Sequence, residues 1–296
     1  MRVLIVGCGY VGVPLGCELA RQGHTVYGLR RSVAGDAELK SAGIEPVHAD
    51  VTRRETLAAL PRNLDWVVNC AASSGGDPEA YRQLYFEGNR NLIERFKSAP
   101  PIKYVWTSST SVYGQNDGSW VTESSPTEPP TETGKVLVET EALLLDAVRQ
   151  FSFPAVILRL AGIYGPERGY WLKQFLRGEA RIEGDGSRFL NMIHRDDVAG
   201  AIIAALSRAL VGSVFNVVDD EPVSQRGFLA WLADQLGRPT PPSTPTDAVV
   251  NRKRGVTNKR VSNQRLKEAL GYRLKNPTFR QGYLEELAGA RESKKP

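Results

Sequence analysis

The chain has 296 residues, 41% of them apolar and 24% charged, with a formal net charge of +5. That balance is ordinary for a soluble globular protein with a real core, and no internal repeat or low-complexity tract interrupts it. Lys and Arg are spread along the chain rather than gathered, which argues against nucleic acid and for a small, acidic molecule as the partner.

Three cysteines, Cys8, Cys17 and Cys70, follow no metal-binding spacing, and their odd number argues against a disulfide framework. No metal is expected, and a reducing, cytoplasmic setting fits. The first 20 residues carry an apolar run, but four glycines and a proline break it and no cleavage pattern follows. No stretch approaches the ~18 apolar residues that would predict a membrane span.

In chain order, "RVLIVG" (2–7) reads as a buried strand and "VPLGCELARQ" as the helix after it. Between them, Gly7, Gly9 and Gly12 form a G-x-G-x-x-G loop that also contains Tyr10 and Val11. Gly7 permits the tight turn, Gly9 lets a pyrophosphate approach the backbone, and Gly12 lets helix and strand pack closely. Free N–H groups at the helix start then face the phosphate charge. At a strand–turn–helix junction this pattern predicts a dinucleotide site.

The next strand, "TVYGLR" (25–30), ends at Arg30 and Arg31, where an NAD site usually has an acidic residue. A carboxylate would repel a 2′-phosphate and a guanidinium can bind it bidentately, so NADP(H) is favoured. If the pair is only a solvated basic turn, NAD(H) stays open.

Further strands are expected at 65–71, 103–109 and 155–160, alternating with helices over "YRQLYFEGNRNLIERFKSA" and "KVLVETEALLLDAVRQ". Near-continuous apolar strands between helices predict an α/β fold, a Rossmann-type doubly wound parallel sheet. "SVFNVVDD" (213–220) reads as a late strand returning to it. Residues 166–190 and those after Pro222 are richer in Pro, Arg and Asn, and 236–248 reads as a proline-rich surface loop. The expected organisation is a nucleotide-binding domain over 1–165 plus 213–220. A smaller, discontinuous, C-terminal substrate-binding cap would cover 166–212 and 221–296.

Several of these segments together resemble the extended short-chain dehydrogenases, the NAD(P)-dependent epimerase/dehydratase superfamily. "HADVT" is similar to a third-strand D-[VL] motif, which implies Asp50 and Val51 beside adenine. "VVNCAAS" resembles the fourth-strand turn and implies Cys70, Ala71 and Ala72 along the cofactor. "TSSTSVYG" puts Ser109 at the catalytic Ser/Thr position, and Lys135 with Glu139 is similar to K-x-x-x-E, the lysine holding the nicotinamide ribose. "RLAGIYGP", "RFLNMIHRDDVAGAI" and "FNVVDDEP" are similar to later motifs and imply a substrate side of Tyr113, Gly162, Tyr164, Arg188 and His194. The superfamily forms dimers through the helices at 78–98 and 131–150, which implies a homodimer.

Thr131 stands where the resemblance calls for a catalytic tyrosine, and Tyr85 where it often has asparagine. Both departures resemble the atypical YeeZ-like subgroup. A phenol, with a pKa of about 10, can be tuned toward neutrality and a threonine hydroxyl cannot. Losing a general acid–base costs roughly 10²- to 10⁴-fold, without abolishing catalysis where reactants are held together. Glu132, Tyr113, Tyr164, Tyr85 and His194 are the substitutes to weigh, each with a structural alternative.

The basic run 251–265 could contact a substrate phosphate or be solvated surface. Two functions follow. One is an NADP(H)-dependent oxidoreductase, epimerase or dehydratase acting on a small polar, sugar-like or nucleotide-linked substrate. The other is a non-catalytic NADP(H)-binding sensor or regulatory module.

Overall fold

The computed structural model describes residues 1–73, 75, 77–245 and 257–292. Residues 251–256 of the basic run and the end of the proline-rich loop lie outside that set. Seven parallel strands form the central sheet: β1 (Arg2–Val6), β2 (Thr25–Arg30), β3 (Ile44–His48), β4 (Trp66–Asn69), β5 (Lys103–Ser109), β6 (Ala155–Leu160) and β7 (Val214–Val217). Their spatial order is β7-β6-β5-β4-β1-β2-β3, and β7 is the strand expected to return. Val3 to Val6, Val67 and Val68, Tyr104 to Trp106, and Ala155 to Leu158 are fully buried. Helices cover both faces, and such strands therefore show no polar alternation. The order reverses between β1 and β4, which opens a crevice at the carboxyl ends of the strands.

The helices are α1 (Gly12–Arg21), α2 (Asp36–Ser41), α3 (Pro78–Tyr81), α4 (Gly88–Phe96), α5 (Glu132–Phe151), α6 (Tyr170–Leu176), α7 (Arg195–Arg208), α8 (Gln225–Leu236), α9 (Gln264–Leu270) and α10 (Phe279–Glu292). A π-helical segment, Arg82–Glu87, joins α3 to α4 where the sequence pattern reads one continuous helix. Asn89 explains how it is held. Its amide donates to the Tyr85 carbonyl (2.7 Å), and its Oδ1 accepts from Tyr104 Oη (2.6 Å) and Asn69 Nδ2 (3.1 Å).

Two apolar cores are present. The larger packs around the sheet and includes α7 (Val198, Ala201, Ile202, Ala205), although the expected boundaries put 195–208 within the cap. Small residues on α7 allow this close seat: a Cβ at Gly200 would lie 2.1 Å from Tyr272 Oη. The second core (Tyr164, Phe175, Phe228, Leu232, Phe279, Tyr283) belongs to a smaller unit beside the sheet. Among the described residues no helix is long and apolar enough to cross a membrane, and no group of three or more His, Cys, Asp or Glu side chains could hold a metal ion.

A buried ion pair ties these layers together. Arg159 at the end of β6 meets Glu141 of α5 at 2.6 Å, with both side chains almost fully enclosed. Ser108 donates to the same carboxylate (2.7 Å), and Arg159 Nη1 donates to Tyr113 Oη (2.8 Å), which donates to Asn216 Oδ1 (2.7 Å). Burial works against the Arg159 charge, but hydrogen bonding and attraction from Glu141 outweigh it and raise its pKa. Truncating one member strands a buried charge. Glu141→Ala is expected to lose about 3–5 kcal/mol of stability, whereas Arg82→Ala, at the exposed Arg82–Glu139 pair, loses about 0–1 kcal/mol. Denaturant midpoints of the two variants decide the ranking.

Lys259 is buried without a carboxylate partner among the described residues; its ammonium donates to the Tyr113 carbonyl (3.1 Å) and Thr257 Oγ1 (2.6 Å). Burial pulls its pKa from 10.5 down to about 8. Between those values the unfolded chain holds more protons, so stability rises with pH. At ~1.4 kcal/mol per pH unit, wild type is expected to gain about 3 kcal/mol relative to Lys259→Met between pH 7 and 10.5. Equal slopes for the two proteins would count against the buried ammonium.

Candidate functional site

A cleft of about 790 Å³ runs along the carboxyl ends of the sheet, a volume suited to a cofactor or drug-sized ligand. Its floor is the turn after β1. Gly7 has φ 77°, and a Cβ there would lie 2.3 Å from the Ala71 Cα, so the turn can close on the end of β4 only with glycine. Gly9 is different. A Cβ there would meet nothing nearer than the Gly7 carbonyl at 3.9 Å, so the protein itself leaves that space free. Gly12 sits behind the loop, where its Cβ would press Ile5 at 3.0 Å. Helix α1 begins without a side-chain cap and without an acidic residue in its first turn. Val13 N–H donates to the Gly9 carbonyl (2.8 Å) and Pro14 has none, so in the first turn the Gly12 N–H is the one that can face a bound anion.

Arg30 and Arg31, at the end of β2, both line the cleft, but they are not equivalent. Arg30 donates through Nε to the Cys8 carbonyl (2.5 Å) and through Nη2 to Glu38 (2.9 Å). It braces the glycine loop. Arg31 is exposed, with no ion pair or hydrogen bond from its guanidinium among the described residues. Beyond β3, Asp50 Oδ1 accepts from the backbone N–H and hydroxyl of Thr52 (2.9 and 2.8 Å), which fixes the carboxylate at the cleft wall beside Val51.

Tyr10, Val11, Cys70, Ala71 and Ala72 also line the cleft. Burial pushes the Cys8 thiol up to about 12 and raises the Cys70 thiol as well, so both stay protonated and neither is a nucleophile.

The far half of the cleft departs from the sequence expectation. Ser109 lines it, and its Oγ accepts from Ser111 N (3.2 Å). Thr131 and Lys135 do not line it. Thr131 caps α5, its hydroxyl accepting from Gly134 N (3.2 Å). Lys135 points outward, half exposed, and pairs with Glu132 at 2.7 Å. Leu137 occupies the cleft wall, and Thr133, one turn earlier on the same face, is buried.

The cause is the rotation of α5. Glu141 is buried against Arg159 and Glu139 faces out to Arg82, so the inward face carries 133, 137, 141 and 144. Glu139 is therefore not the inward glutamate of the K-x-x-x-E pattern, and Lys135 shares its outward face.

None of the five residues expected at the substrate lines the cleft. Tyr113 is buried between Arg159 and Asn216. Tyr164 is stacked on Tyr283 at 4.4 Å, and burial raises its pKa. Arg188 is enclosed beside Glu183 (3.3 Å), with burial lowering its pKa. His194 caps α7, its Nδ1 accepting from Asp196 N at 3.2 Å. Gly162 pairs with Met192 in a short parallel bridge, leaving Ala161 and Ile163 on the cleft side.

Among the proposed substitutes, Glu132 is exposed at the outer end of α5, and Tyr85 alone reaches the cleft, where its hydroxyl accepts from Ser73 N (3.0 Å). Sequence reasoning did not find Tyr81, Leu137 or Arg168, which also line the cleft. Leu137 follows from the period of α5 once Glu141 is taken as its anchor. No local signal marks the other two.

Comparison with known proteins agrees with this architecture. Residues 3–217 match the NAD dependent epimerase/dehydratase family. Protein YeeZ of Escherichia coli (strain K12) is 30% identical over 246 residues, covering 81% of this chain and 85% of the relative. The 3-diazoavenalumate denitrifying reductase of a Streptomyces species is 29% identical, covering 95% and 99%. The dTDP-glucose 4,6-dehydratase of Bacillus anthracis, solved in complex with NAD, superposes with a TM-score of 0.84 at 19% identity, covering 99% of this chain and 97% of that one.

The two loop glycines are expected to fail differently. Gly7→Ala forces backbone against Ala71 and should lower the melting temperature sharply. Gly9→Ala should leave melting nearly unchanged while weakening dinucleotide binding by roughly tenfold or more, because its methyl fills the phosphate path. Thermal melts and NADPH fluorescence titrations of both variants provide the check.

Proposed function

The chain belongs to the NAD dependent epimerase/dehydratase family, and we propose that it is an NADP(H)-dependent reductase in which water, not a side chain, supplies the product's proton. The observation that carries this reading is the inward face of α5, where Thr133 and Leu137 take the places from which a tyrosine and a lysine would act. A nicotinamide bound in the cleft supplies hydride. This face of α5 has neither phenol nor ammonium, so water carries the proton in either direction. In the reductive direction the site supplies polarisation of the acceptor, and solvent supplies the proton. The Ser109 hydroxyl, which receives the Ser111 N–H and keeps its own proton to donate, can polarise an acceptor oxygen. The Streptomyces relative, whose name describes a reductase, supports this direction over epimerisation or dehydration.

The uncommitted guanidinium of Arg31 supports NADP(H) over NAD(H), with Arg30 already engaged by Cys8 and Glu38. A homodimer across the outer faces of α3 to α5 accords with the mixed charge there, Arg82 with Glu139 and Lys135 with Glu132. The same Thr133 and Leu137 would also suit an NADP(H)-binding sensor without turnover.

Steady-state oxidation of NADPH in the presence of carbonyl acceptors separates the two readings, since a sensor binds the coenzyme and leaves it unchanged. Arg31→Ala should weaken NADPH by roughly tenfold or more and leave NADH unaffected, as a lost charge-assisted contact does. Lys135→Ala should change coenzyme affinity and rate less than about twofold, because an exposed ion pair on the far face contributes little. A large loss from that substitution would overturn the orientation of α5 on which the proposal rests.

A further inference from the structure

The lining of the cleft beyond the coenzyme's adenosine end identifies what can enter it. Tyr81, Leu84, Tyr85, Leu137, Ala161 and Ile163 make this half predominantly apolar. Tyr81 and Tyr85 stand edge to face with ring centroids 4.9 Å apart, and Tyr85 meets Trp106 in the same way at 6.4 Å. Three hydroxyls of this wall already donate within the protein. Ser108 donates to Glu141, Thr107 to the Asn69 carbonyl and Ser73 to the Gly75 carbonyl. Asp50, the acid among the described lining residues, lies at the opposite end beyond β3. A polyhydroxylated body would leave several hydroxyls unpaired here, at about 1–3 kcal/mol each.

Besides Arg30 and Arg31, one further cation of the described residues lines the cleft. Arg168 lines the cleft, its guanidinium carbon 4.9 Å from the centre of the Tyr10 ring. Its backbone is fixed by a reciprocal pair of hydrogen bonds with Gly165 (both 2.9 Å), across a turn in which Glu167 adopts φ 60°. A non-glycine residue in the left-handed region is a strained way to make a turn and needs support from its surroundings. No carboxylate of the described residues lies within 4.0 Å of the Arg168 guanidinium, and nearby Asp196 is paired with Arg195 at 3.0 Å.

We infer that the substrate is a small carboxylate with an apolar, aromatic-compatible body, its carboxylate gripped by Arg168 and its body lying against Tyr81, Tyr85 and Leu137. This inference rests on the coenzyme reading above and replaces a sugar-like substrate. Arg168 is thereby the residue that selects for charge. A planar guanidinium held over an aromatic ring is suited to bidentate carboxylate recognition, and the apolar wall contributes affinity by burial.

The test measures binding of benzoate, cinnamate and indole-3-acetate, each against its uncharged amide, to wild type and to Arg168→Met and Arg168→Lys, with NADPH saturating. Calorimetry reads the affinities, and NADPH alone is titrated into each protein first. The expected result is that at least one carboxylate binds tenfold or more tightly than its amide. Arg168→Met should abolish that preference and Arg168→Lys retain part of it, with the NADPH dissociation constant within about threefold in all three proteins.

Equal binding, or none, by carboxylates and amides in wild type overturns the inference. So does an Arg168→Met variant that loses NADPH affinity as steeply as carboxylate affinity, since Arg168 would then serve the coenzyme's diphosphate. Failure of wild type to bind NADPH at all sinks the coenzyme reading instead, and the preliminary titration makes that outcome distinct.

Discussion

The ion pair between Glu141 and Arg159 is the constraint from which the rest of the site follows. Two charges this far from water are tolerated only when each satisfies the other and the remaining polar atoms find partners, and here Ser108, Tyr113 and Asn216 complete the set. Because successive residues of an α-helix turn by about 100°, pinning Glu141 inward fixes the orientation of all of α5. Leu137 then lines the cleft, Thr133 lies buried one turn earlier on the same face, and Lys135 and Glu139 look away. An interaction some distance from any reacting atom thus decides which side chains are available for chemistry. It also joins β5, β6, β7 and α5 into one rigid support, so the cleft wall cannot easily turn to bring Lys135 inward.

The α/β fold was legible in the sequence because its strands are buried on both faces. Five of the seven strands could be read from uninterrupted apolar runs, and β7 from a shorter one. β3 is harder to see. It sits at the edge, contains Pro46, and is half-exposed over Glu45 to Val47. The glycine loop was legible because steric demands at Gly7 and Gly12 are local, each set by a neighbour in the same turn or the adjoining strand. The seat of α7 was not, since the boundary drawn at 212 took no account of a long-range partner, and Gly200 matters through Tyr272, far along the chain.

The far half of the site was misread for a definite reason. Two glutamates, Glu139 and Glu141, stand two residues apart on α5, and a local spacing rule picks the one that follows Lys135 by four. Only the long-range partner distinguishes them, and Arg159 lies 18 residues beyond the glutamate it selects. The same holds for Tyr113, Tyr164, Arg188 and His194. Tyr113 spends its hydroxyl on Arg159 and Asn216 and His194 its Nδ1 on the cap of α7, while Tyr164 is stacked into the second core and Arg188 is enclosed beside Glu183. Short patterns report which residue types occur near a site. They do not report which way a side chain turns when a buried network competes for it.

Arg30 and Arg31 show that local geometry can still divide labour where motif matching cannot. Both arginines line the cleft, but their partners differ. Arg30 turns onto the glycine loop and is held by the Cys8 carbonyl and Glu38, which stabilises the turn. Arg31 turns to the cleft mouth with its charge uncommitted. Arg168, over the Tyr10 ring of the glycine loop, likewise has no ion pair among the described residues and is presented by a strained turn. The cleft also holds an uncapped helix start and an apolar wall. The phosphorylated dinucleotide and acidic substrate proposed above would answer these features: anionic groups for the cations and the helix start, and an apolar body for the wall.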